Sequence, residues 1–376
     1  MSPRSFAILA AAAAVSVVLA VAAVLSRDLP ATTAAAGEEP LFPGLLDRVN
    51  EVRTVRITAP GKTLTAQAGE KGWMLAEKGG YPVEPRELRE MVLGVANLKL
   101  VEAKTADQAR LKRLELEDPS AEAAKSRQVE LLGEGGDPIA AVVVGKGKPG
   151  LYGGGRGGVY VRRAGEPQSW LAAGELDVPG DALDLVDQTV IDIPAEQVAR
   201  ITLQPAGGAA PIRLHRPDAA AETFAVDAAL PEGRALDPGS VDQVAGALSG
   251  LTLQDVKPAA ELAVPADAPR SRFETFDGVA VEATVATLGE GDAAERWVLL
   301  EASTVEPAAA DPAASAAKLN DPAGSAAQGK TPEGRAAELN SRTRGWAFKI
   351  APYLADRLAG AGGLDALLAE KGQGAS

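Results

Sequence analysis

The sequence predicts an α+β protein: a tandem duplication of a strand-helix-strand unit with antiparallel sheets, placed after an N-terminal transmembrane helix. Three observations predict this class. Residues 6–25 form an uncharged apolar run of 20 residues. Five apolar positions of one predicted helix recur in a second helix at a constant offset of 153 residues. Segments that alternate between apolar and polar residues, as half-buried strands do, lie on both sides of each helix.

The N-terminal run has the length of a membrane span. A helix of its 20 residues is roughly 30 Å long, which matches the hydrocarbon core of a bilayer. The rival interpretation is a cleaved signal peptide, for which residues 32–37 offer small side chains. Signal peptides usually have a shorter apolar region of about 7–15 residues. The length therefore favours a retained anchor over residues 1–27, with the short tail inside and the bulk of the chain outside, followed by a linker over 28–44.

Two stretches of the remaining chain resemble each other, and they predict a first repeat over 45–190 and a second over 191–376. Arg56, Ile57 and Thr58 in the first match the Arg-Ile-Thr that begins at Arg200 in the second. The Val-Glu-Pro that ends at Pro85 matches the Leu-Asp-Pro that ends at Pro238. Proline is tolerated at the first residue of a helix, and Asp237 is a natural N-cap.

The matched helices carry the same apolar stripe. Residues three or four positions apart share one face of a helix, so a stripe of this spacing predicts one buried face. The stripe comprises Leu88, Met91, Val92, Val95 and Leu98 in the first repeat and Val241, Val244, Ala245, Leu248 and Leu251 in the second.

The second repeat contains a stretch with few apolar residues to bury. Residues 303–340 are rich in Ala, Pro, Gly and Ser, and this composition predicts a disordered insertion. The strand and final helix of the repeat are expected after it, in the stretch that begins at Gly345.

Composition excludes several classes of function. The net charge is −13, whereas binding to a nucleic-acid backbone needs clustered Lys and Arg, so no nucleic-acid partner is predicted. The chain has no Cys, which excludes disulfides, thiolate metal sites and a Cys nucleophile.

A G-x-G-x-x-G spacing occurs at Gly145, Gly147 and Gly150, directly after a run of valines. In a dinucleotide-binding fingerprint the last glycine opens a helix, whose N-terminus holds the pyrophosphate. Here further glycines and then a second strand-like segment, VYVRR, follow Gly150. The sequence therefore predicts a long hairpin loop between two antiparallel strands, and no phosphate-binding site.

The titratable residues do not form a recognisable constellation either. His215 is the only histidine, and with Arg213 and Arg216 beside it on a strand it is interpreted as a solvated side chain. Carboxylates recur at Asp181, Asp184 and Asp187. They could hold Ca²⁺ or serve as an acid-base pair, but capping of a helix start is the favoured interpretation. No catalytic, cofactor-binding or metal-binding residue is predicted.

Several short motifs occur in a fixed order. They are WML at 73–75, LELEDP at 114–119, VVVGKG at 142–147, VYVRR at 159–163 and GWAFKI at 345–350. With the anchor ahead of them they resemble the bacterial domain of unknown function 4340 family, whose members are single-span exported proteins often encoded beside gliding-motility-type ABC transporters. One departure is that the family usually has Gly-Leu before the Asp and Pro, whereas this chain has Glu115 and Leu116 in that stretch. The resemblance implies no catalytic residues.

These observations together predict a non-enzymatic protein of the bacterial inner membrane, single-pass, with the bulk of the chain in the periplasm. It would act as an accessory protein of an ABC-type transport or envelope-remodelling system. The expected partners are membrane lipid, through the N-terminal helix, and an ABC permease, its ATPase or other envelope proteins. The alternative is an envelope ligand-binding module that recognises polysaccharide, peptidoglycan or lipid between the two repeats. An enzyme, such as a hydrolase using carboxylates, is the third possibility.

Overall fold

The computed structural model describes residues 39–70, 72–150, 157–307 and 331–370. The predicted transmembrane helix at residues 6–25 lies outside these ranges. Within the described ranges, no helix is both long and apolar enough to cross a bilayer. The chain divides into two compact units. The first unit comprises the described residues up to Thr63 and the range Arg86–Val178. The second unit comprises Leu64–Pro85 and the described residues from Pro179 onward.

The first large sheet has ten strands. They are β1 Glu39–Pro40, β2 Thr54–Ala59, β3 Lys62–Gly69, β4 Gly72–Leu75, β5 Tyr81–Pro82, β6 Lys99–Ala103, β7 Arg127–Leu132, β8 Pro138–Lys148, β9 Gly158–Arg163 and β10 Ser169–Ala173. Their order is β1-β6-β10-β9-β8-β7-β2-β3-β4-β5. The ladders from β1 to β2 in this order are all antiparallel. Strand β2 alternates between half-buried and buried residues, as its Val-Arg-Ile-Thr pattern predicts.

The second large sheet has eight strands. They are β12 Val198–Gln204, β13 Ile212–His215, β14 Ala225–Val226, β17 Asp255–Pro258, β18 Arg270–Thr275, β19 Val279–Leu288, β20 Glu295–Thr304 and β21 Trp346–Lys349. Their order is β14-β13-β12-β18-β19-β20-β21-β17. Two smaller antiparallel pairs join β11 (Thr189–Ile191) to β16 (Leu251–Thr252) and β15 (Arg234–Leu236) to β22 (Leu368–Glu370).

The two large sheets share a strand order when strands are matched by their position along the chain. The order β4-β3-β2-β7-β8-β9-β10-β6 in the first corresponds to β14-β13-β12-β18-β19-β20-β21-β17 in the second. In both sheets, three consecutive strands (β2 to β4 and β12 to β14) lie side by side. A helix follows them in the chain, and the later strands form an antiparallel meander that lies beside β2 or β12.

The predicted fold class is wrong. The described residues form mostly antiparallel sheet with few helices, so the α+β class built from strand-helix-strand repeats underestimates the strand content. The six α-helices among them are short: α1 Leu45–Arg48, α2 Pro85–Asn97, α3 Gln108–Leu111, α4 Pro238–Ala245, α5 Pro332–Thr343 and α6 Pro352–Leu358. The physical reason is that alternating segments separated by tight turns fold into successive hairpins, so each helix is accompanied by many strands.

The two matched helices begin where the sequence predicts. Helix α2 starts at Pro85 and helix α4 at Pro238. Asp237 caps α4, since its carboxylate accepts a hydrogen bond of 2.9 Å from the backbone N–H of Ser240. All ten residues of the two predicted apolar stripes are buried. The stripes supply the buried face of α2 as far as Val95 and that of α4 as far as Ala245. The prediction that each whole stripe lies on one helix is wrong, because Leu98 follows the end of α2, Leu248 lies in a 3-10 turn and Leu251 lies in β16.

The predicted disordered insertion is wrong at both of its ends. Strand β20 continues to Thr304, and helix α5 begins at Pro332 and runs past the end of the stretch to Thr343. The Thr331 hydroxyl caps α5 by accepting a hydrogen bond of 3.2 Å from the N–H of Gly334, and Ala336 and Thr343 are buried. The composition does not indicate this helix, because small side chains are enough to fill the space where the helix packs on β20. Residues 308–330 lie outside the described ranges.

Candidate functional site

The glycine-rich stretch connects two antiparallel strands, as predicted, but Gly145 and Gly147 lie within strand β8 and not in the loop. Strands β8 and β9 pair antiparallel, with Val144 opposite Val161 and Lys148 opposite Gly158. A dinucleotide-binding fingerprint leads from a strand into a helix, whereas the next described element here is strand β9, which begins at Gly158. Residues 151–156 lie outside the described ranges.

One of these glycines has a structural role. A methyl group at Gly145 would lie 2.2 Å from the carbonyl oxygen of Leu114 and 2.8 Å from that of Glu115. The backbone of β8 therefore lies directly against the 3-10 turn Lys112–Leu114. Gly147 has no such restriction, since the nearest atom to its methyl position is 4.0 Å away.

The three regularly spaced aspartates have local structural roles. Asp181 and Asp184 form a reciprocal capping box at the 3-10 turn Ala182–Leu185. Asp187 accepts a hydrogen bond of 2.9 Å from the N–H of Thr189 and forms an ion pair with Arg342. Across the described part of the chain, no group of three or more His, Asp and Glu side chains is placed to hold a metal ion.

His215 lies on β13 and is 40% exposed at its side chain, with its Nδ1 2.9 Å from Oδ1 of Asp227. The sequence predicted a solvated side chain, and the structure adds this ion-pair partner.

All four tryptophans lie in strands, at Trp73, Trp170, Trp297 and Trp346. Trp297 is buried, and its Nε1–H donates to Glu295 at 3.0 Å. The other three are half-buried. This placement fits packing against the sheets better than an exposed platform for stacking sugars.

The second unit contains a surface hollow of about 170 Å³. The turn after α6 forms one side of it, and α4 forms another. Its lining residues are Leu203, Ser240, Gln243, Val244, Asp356, Arg357, Gly360, Ala361, Gly363, Ala366 and Leu367. Three of the apolar ones are buried, namely Leu203, Val244 and Leu367. The hollow thus has an apolar base and a polar rim, the combination that small-molecule sites use.

Two charged residues line the hollow, Asp356 with its carboxylate and Arg357 with its guanidinium. The guanidinium of Arg357 donates a hydrogen bond of 2.8 Å to the side-chain oxygen of Gln243, and its carbon lies 5.1 Å from the ring centre of Tyr353. A guanidinium has five N–H donors, so further donors remain for an anionic group. Ser240 directs its hydroxyl to Asp237 at 2.6 Å. Hydrogen bonds from Ser240 hold the pKa of Asp237 below its ordinary value, so this carboxylate stays ionised.

The glycine turn beside Arg357 is needed for the shape of the hollow. Gly360 has a φ of 61°, and a methyl group on it would lie 3.1 Å from Cβ of Leu203. A larger residue would be strained there and would press on the buried base. The arrangement places a guanidinium beside a buried apolar base.

Comparison with known protein families identifies the family of the chain. The sequence model of a family described as Domain of unknown function (DUF4340) matches residues 73–269. That range is more than half of the 376 residues. The chain belongs to the DUF4340 family. The resemblance suggested by its motifs is confirmed. Searches of curated proteins and of solved structures found no match.

The DUF4340 match extends from β4 to the residue before β18. It includes both long stripes, the glycine hairpin, and the Ser240 and Gln243 side of the hollow. Arg357 and the glycine turn lie beyond it. Sequence reasoning missed the hollow because its walls come from α4 and α6, more than a hundred residues apart. The only local signal is the Gly-Ala-Gly-Gly turn that begins at Gly360.

Proposed function

We propose that this DUF4340 protein is a membrane-anchored periplasmic accessory protein of an ABC-type transport or envelope-remodelling system, without catalytic activity of its own. The observation that carries the proposal is the apolar run at 6–25 and its nearness to the folded part. The first described residue, Glu39, follows the end of the run by only the stretch 26–38. An extended chain of that length reaches roughly 45 Å. A retained anchor therefore keeps the two units close to the bilayer, where a permease would also lie.

The resemblance of the chain's motifs supports the accessory role in the proposal. The motifs of this chain resemble those of exported proteins encoded beside ABC transporters, and the family match covers both matched helices.

The test is purification of the tagged full-length chain from membranes solubilised in mild detergent, followed by mass spectrometry. The expected result is a stoichiometric ABC permease and ATPase. The control is the full chain with Val17→Arg and Val21→Arg, which place charges in the centre of the run, compared with Val17→Leu and Val21→Leu. The Arg pair should release the chain from membranes washed with alkaline carbonate, and the Leu pair should not. Recovery of the wild-type chain without either ABC subunit would contradict the accessory role.

The hollow favours a second candidate, an envelope ligand-binding module. Its ligand would combine a carboxylate or phosphate with an apolar body, because a guanidinium stands beside a buried apolar base. Thermal-shift measurements against muropeptides, acidic oligosaccharides and short-chain fatty acids test it. A stabilising ligand should lose its effect in Arg357→Ala. It should keep its effect in Arg344→Ala, which removes an exposed cation outside the hollow. Stabilisation that survives Arg357→Ala, or no stabilisation by any ligand, would count against this candidate.

A further inference from the structure

Positive charge is concentrated in one hairpin of an otherwise acidic chain. The net charge of the whole chain is −13. Residues 138–164, which include β8 and β9, contain five cationic residues and no Asp or Glu. Two of them, Arg162 and Arg163, donate to backbone carbonyls of Leu116 and Leu41. The exposed end of β8 carries two more, Lys146 and Lys148.

A second pair of cations lies next to this end of the hairpin. Lys112 and Arg113 are exposed on the 3-10 turn Lys112–Leu114. The turn lies against β8 at Gly145, where a methyl group would meet the Leu114 carbonyl oxygen at 2.2 Å. We call Lys112, Arg113, Lys146 and Lys148 the cationic patch. All four belong to the first unit.

The patch rests on a fixed apolar base. Leu111, Leu116 and Val143 form a buried cluster, and the ring of Tyr160 packs against it. The Nζ of Lys146 lies 5.8 Å from the centre of that ring. This apolar base holds the turn against the hairpin, and it thereby fixes the backbone positions of the four cations.

The four cations are not neutralised within the described part of the chain. None of them forms an ion pair with a carboxylate there. The neighbouring acids have other partners: Glu115 lies 3.5 Å from Lys125, and Asp118 accepts hydrogen bonds from Ser120. The hydrogen bonds from Ser120 keep the pKa of Asp118 below its ordinary value. The patch is thus open to an external anion.

We propose that the cationic patch docks the first unit on the headgroups of an anionic phospholipid bilayer. The inference rests on the proposed function, because the anchor supplies the bilayer. An anionic surface repels a chain with a net charge of −13 except where cations face it, so the field turns this patch toward the lipid. Tethering by the anchor raises the effective concentration of the surface, so it strengthens a contact that the patch also makes without the anchor.

The reach of the chain allows this contact. The Nε of Arg163 donates to the Leu41 carbonyl oxygen at 2.9 Å, so the segment arriving from the linker lies at one end of β9. Val142 is opposite Arg163 and Lys148 is opposite Gly158, so the patch end of the hairpin is roughly 20 Å away. The stretch 26–38 spans roughly 45 Å when extended, which exceeds that distance.

The experiment is flotation of the full chain with vesicles of phosphatidylcholine alone or of phosphatidylcholine with about 30% phosphatidylglycerol. The chain carries Val17→Arg and Val21→Arg, so that the anchor does not contribute. Binding to the phosphatidylglycerol vesicles at low salt is expected, and it should vanish in about 1 M NaCl, where screening is nearly complete. Lys146→Glu with Lys148→Glu should weaken it at least about 25-fold, or about fivefold for each cation lost.

The matched control is Arg86→Glu with Arg89→Glu, an equal charge change on α2 of the same unit, which should have a much smaller effect. Equal loss in both variants, or no binding to phosphatidylglycerol vesicles, would overturn the docking proposal. So would release by millimolar inorganic phosphate at constant ionic strength, since that outcome indicates a free-phosphate site. Flotation of the unsubstituted chain with vesicles of phosphatidylcholine alone measures membrane insertion of the anchor. Failure of the proposed function can therefore be distinguished from failure of the docking proposal.

Discussion

The side-chain amide of Asn340 forms two hydrogen bonds with the backbone of Ala302. Its Nδ2 donates to the Ala302 carbonyl oxygen at 2.7 Å, and its Oδ1 accepts from the Ala302 N–H at 2.8 Å. Strand β21 pairs with β20 only at Trp297 and Val298, so Ala302 lies past the end of that pairing. Helix α5 thus uses one amide to satisfy a strand edge, as a further strand would.

This relationship predicts the effect of removing the amide. Asn340→Ala leaves a half-buried N–H and carbonyl without partners, and it should lower the free energy of unfolding by about 1–3 kcal/mol in urea melts. Asn340→Asp keeps the acceptor but repels the Ala302 carbonyl, so it should be destabilising as well. Ser341→Ala on the exposed face of α5 is the control and should change stability by about 0.5 kcal/mol or less. Equal effects at 340 and 341 would show that the amide contributes nothing.

Glycine substitutions in the hairpin should differ sharply between neighbouring positions. Gly145→Ala places a methyl group 2.2 Å from the Leu114 carbonyl oxygen, so the turn or the strand must move. Such overpacking should cost about 1–3 kcal/mol. Gly147→Ala meets no atom within 4.0 Å and should leave stability within about 0.5 kcal/mol. Thermal melts of the two variants check this, and a destabilised Gly147→Ala protein would contradict the assigned packing.

Glu115 has a φ of 58° and is the only described non-glycine residue with a positive φ. Glycine adopts the left-handed region without strain, whereas a residue with a Cβ atom does not. Glu115→Gly should therefore raise the free energy of unfolding by about 0.5–1 kcal/mol, even though it removes an exposed contact with Lys125. Glu115→Ala retains the strain and is the matched comparison. A gain with Ala equal to that with Gly would point to the lost charge as the cause.

Local signals explain which elements the sequence could predict. Helix α4 needs only Asp237, Pro238 and the stripe behind them, all within one segment, and the prediction of its start is correct. The fold class failed because strand content depends on which hairpins pair, which no single segment encodes. Helix α5 was missed since its cap, Thr331, stands in a stretch dominated by small residues. The hollow brings Gln243 and Arg357 together from distant parts of the sequence, so no single segment contains the residues that form it.

The two apolar stripes should contribute alike to stability. Leu98 and Leu251 are both 0% exposed. Truncating either one to Ala removes buried methyl groups and leaves a cavity, which should cost about 2–5 kcal/mol. Leu46→Ala is the control, because Leu46 is 53% exposed, and it should have little effect. Urea melts with the fluorescence of the four tryptophans report the changes. A loss below about 1 kcal/mol at either leucine would mean that its surroundings collapse into the space.

Tyr81 should make the protein sensitive to alkaline pH. Its ring packs edge-on against Trp346 at 5.0 Å and Phe348 at 6.2 Å between centres. Burial raises the pKa of its hydroxyl to about 12, while Arg342 opposes the shift and Asp187 adds to it. In the unfolded chain the same hydroxyl loses its proton near pH 10. Between about pH 10 and pH 12 the unfolded state alone gives up the proton, so unfolding becomes easier as the pH rises.

Tyr81→Phe should remove this part of the pH dependence. Relative to its value at pH 9, the free energy of unfolding of wild type should fall by about 1–3 kcal/mol more than that of Tyr81→Phe on approach to pH 12. Urea melts at half-unit steps of pH measure the difference, which cancels the titration of lysines common to both proteins. Tyr353→Phe is the control, since Tyr353 is 59% exposed, and its curve should follow wild type. Parallel curves for wild type and Tyr81→Phe would show that the hydroxyl of Tyr81 ionises equally easily in both states.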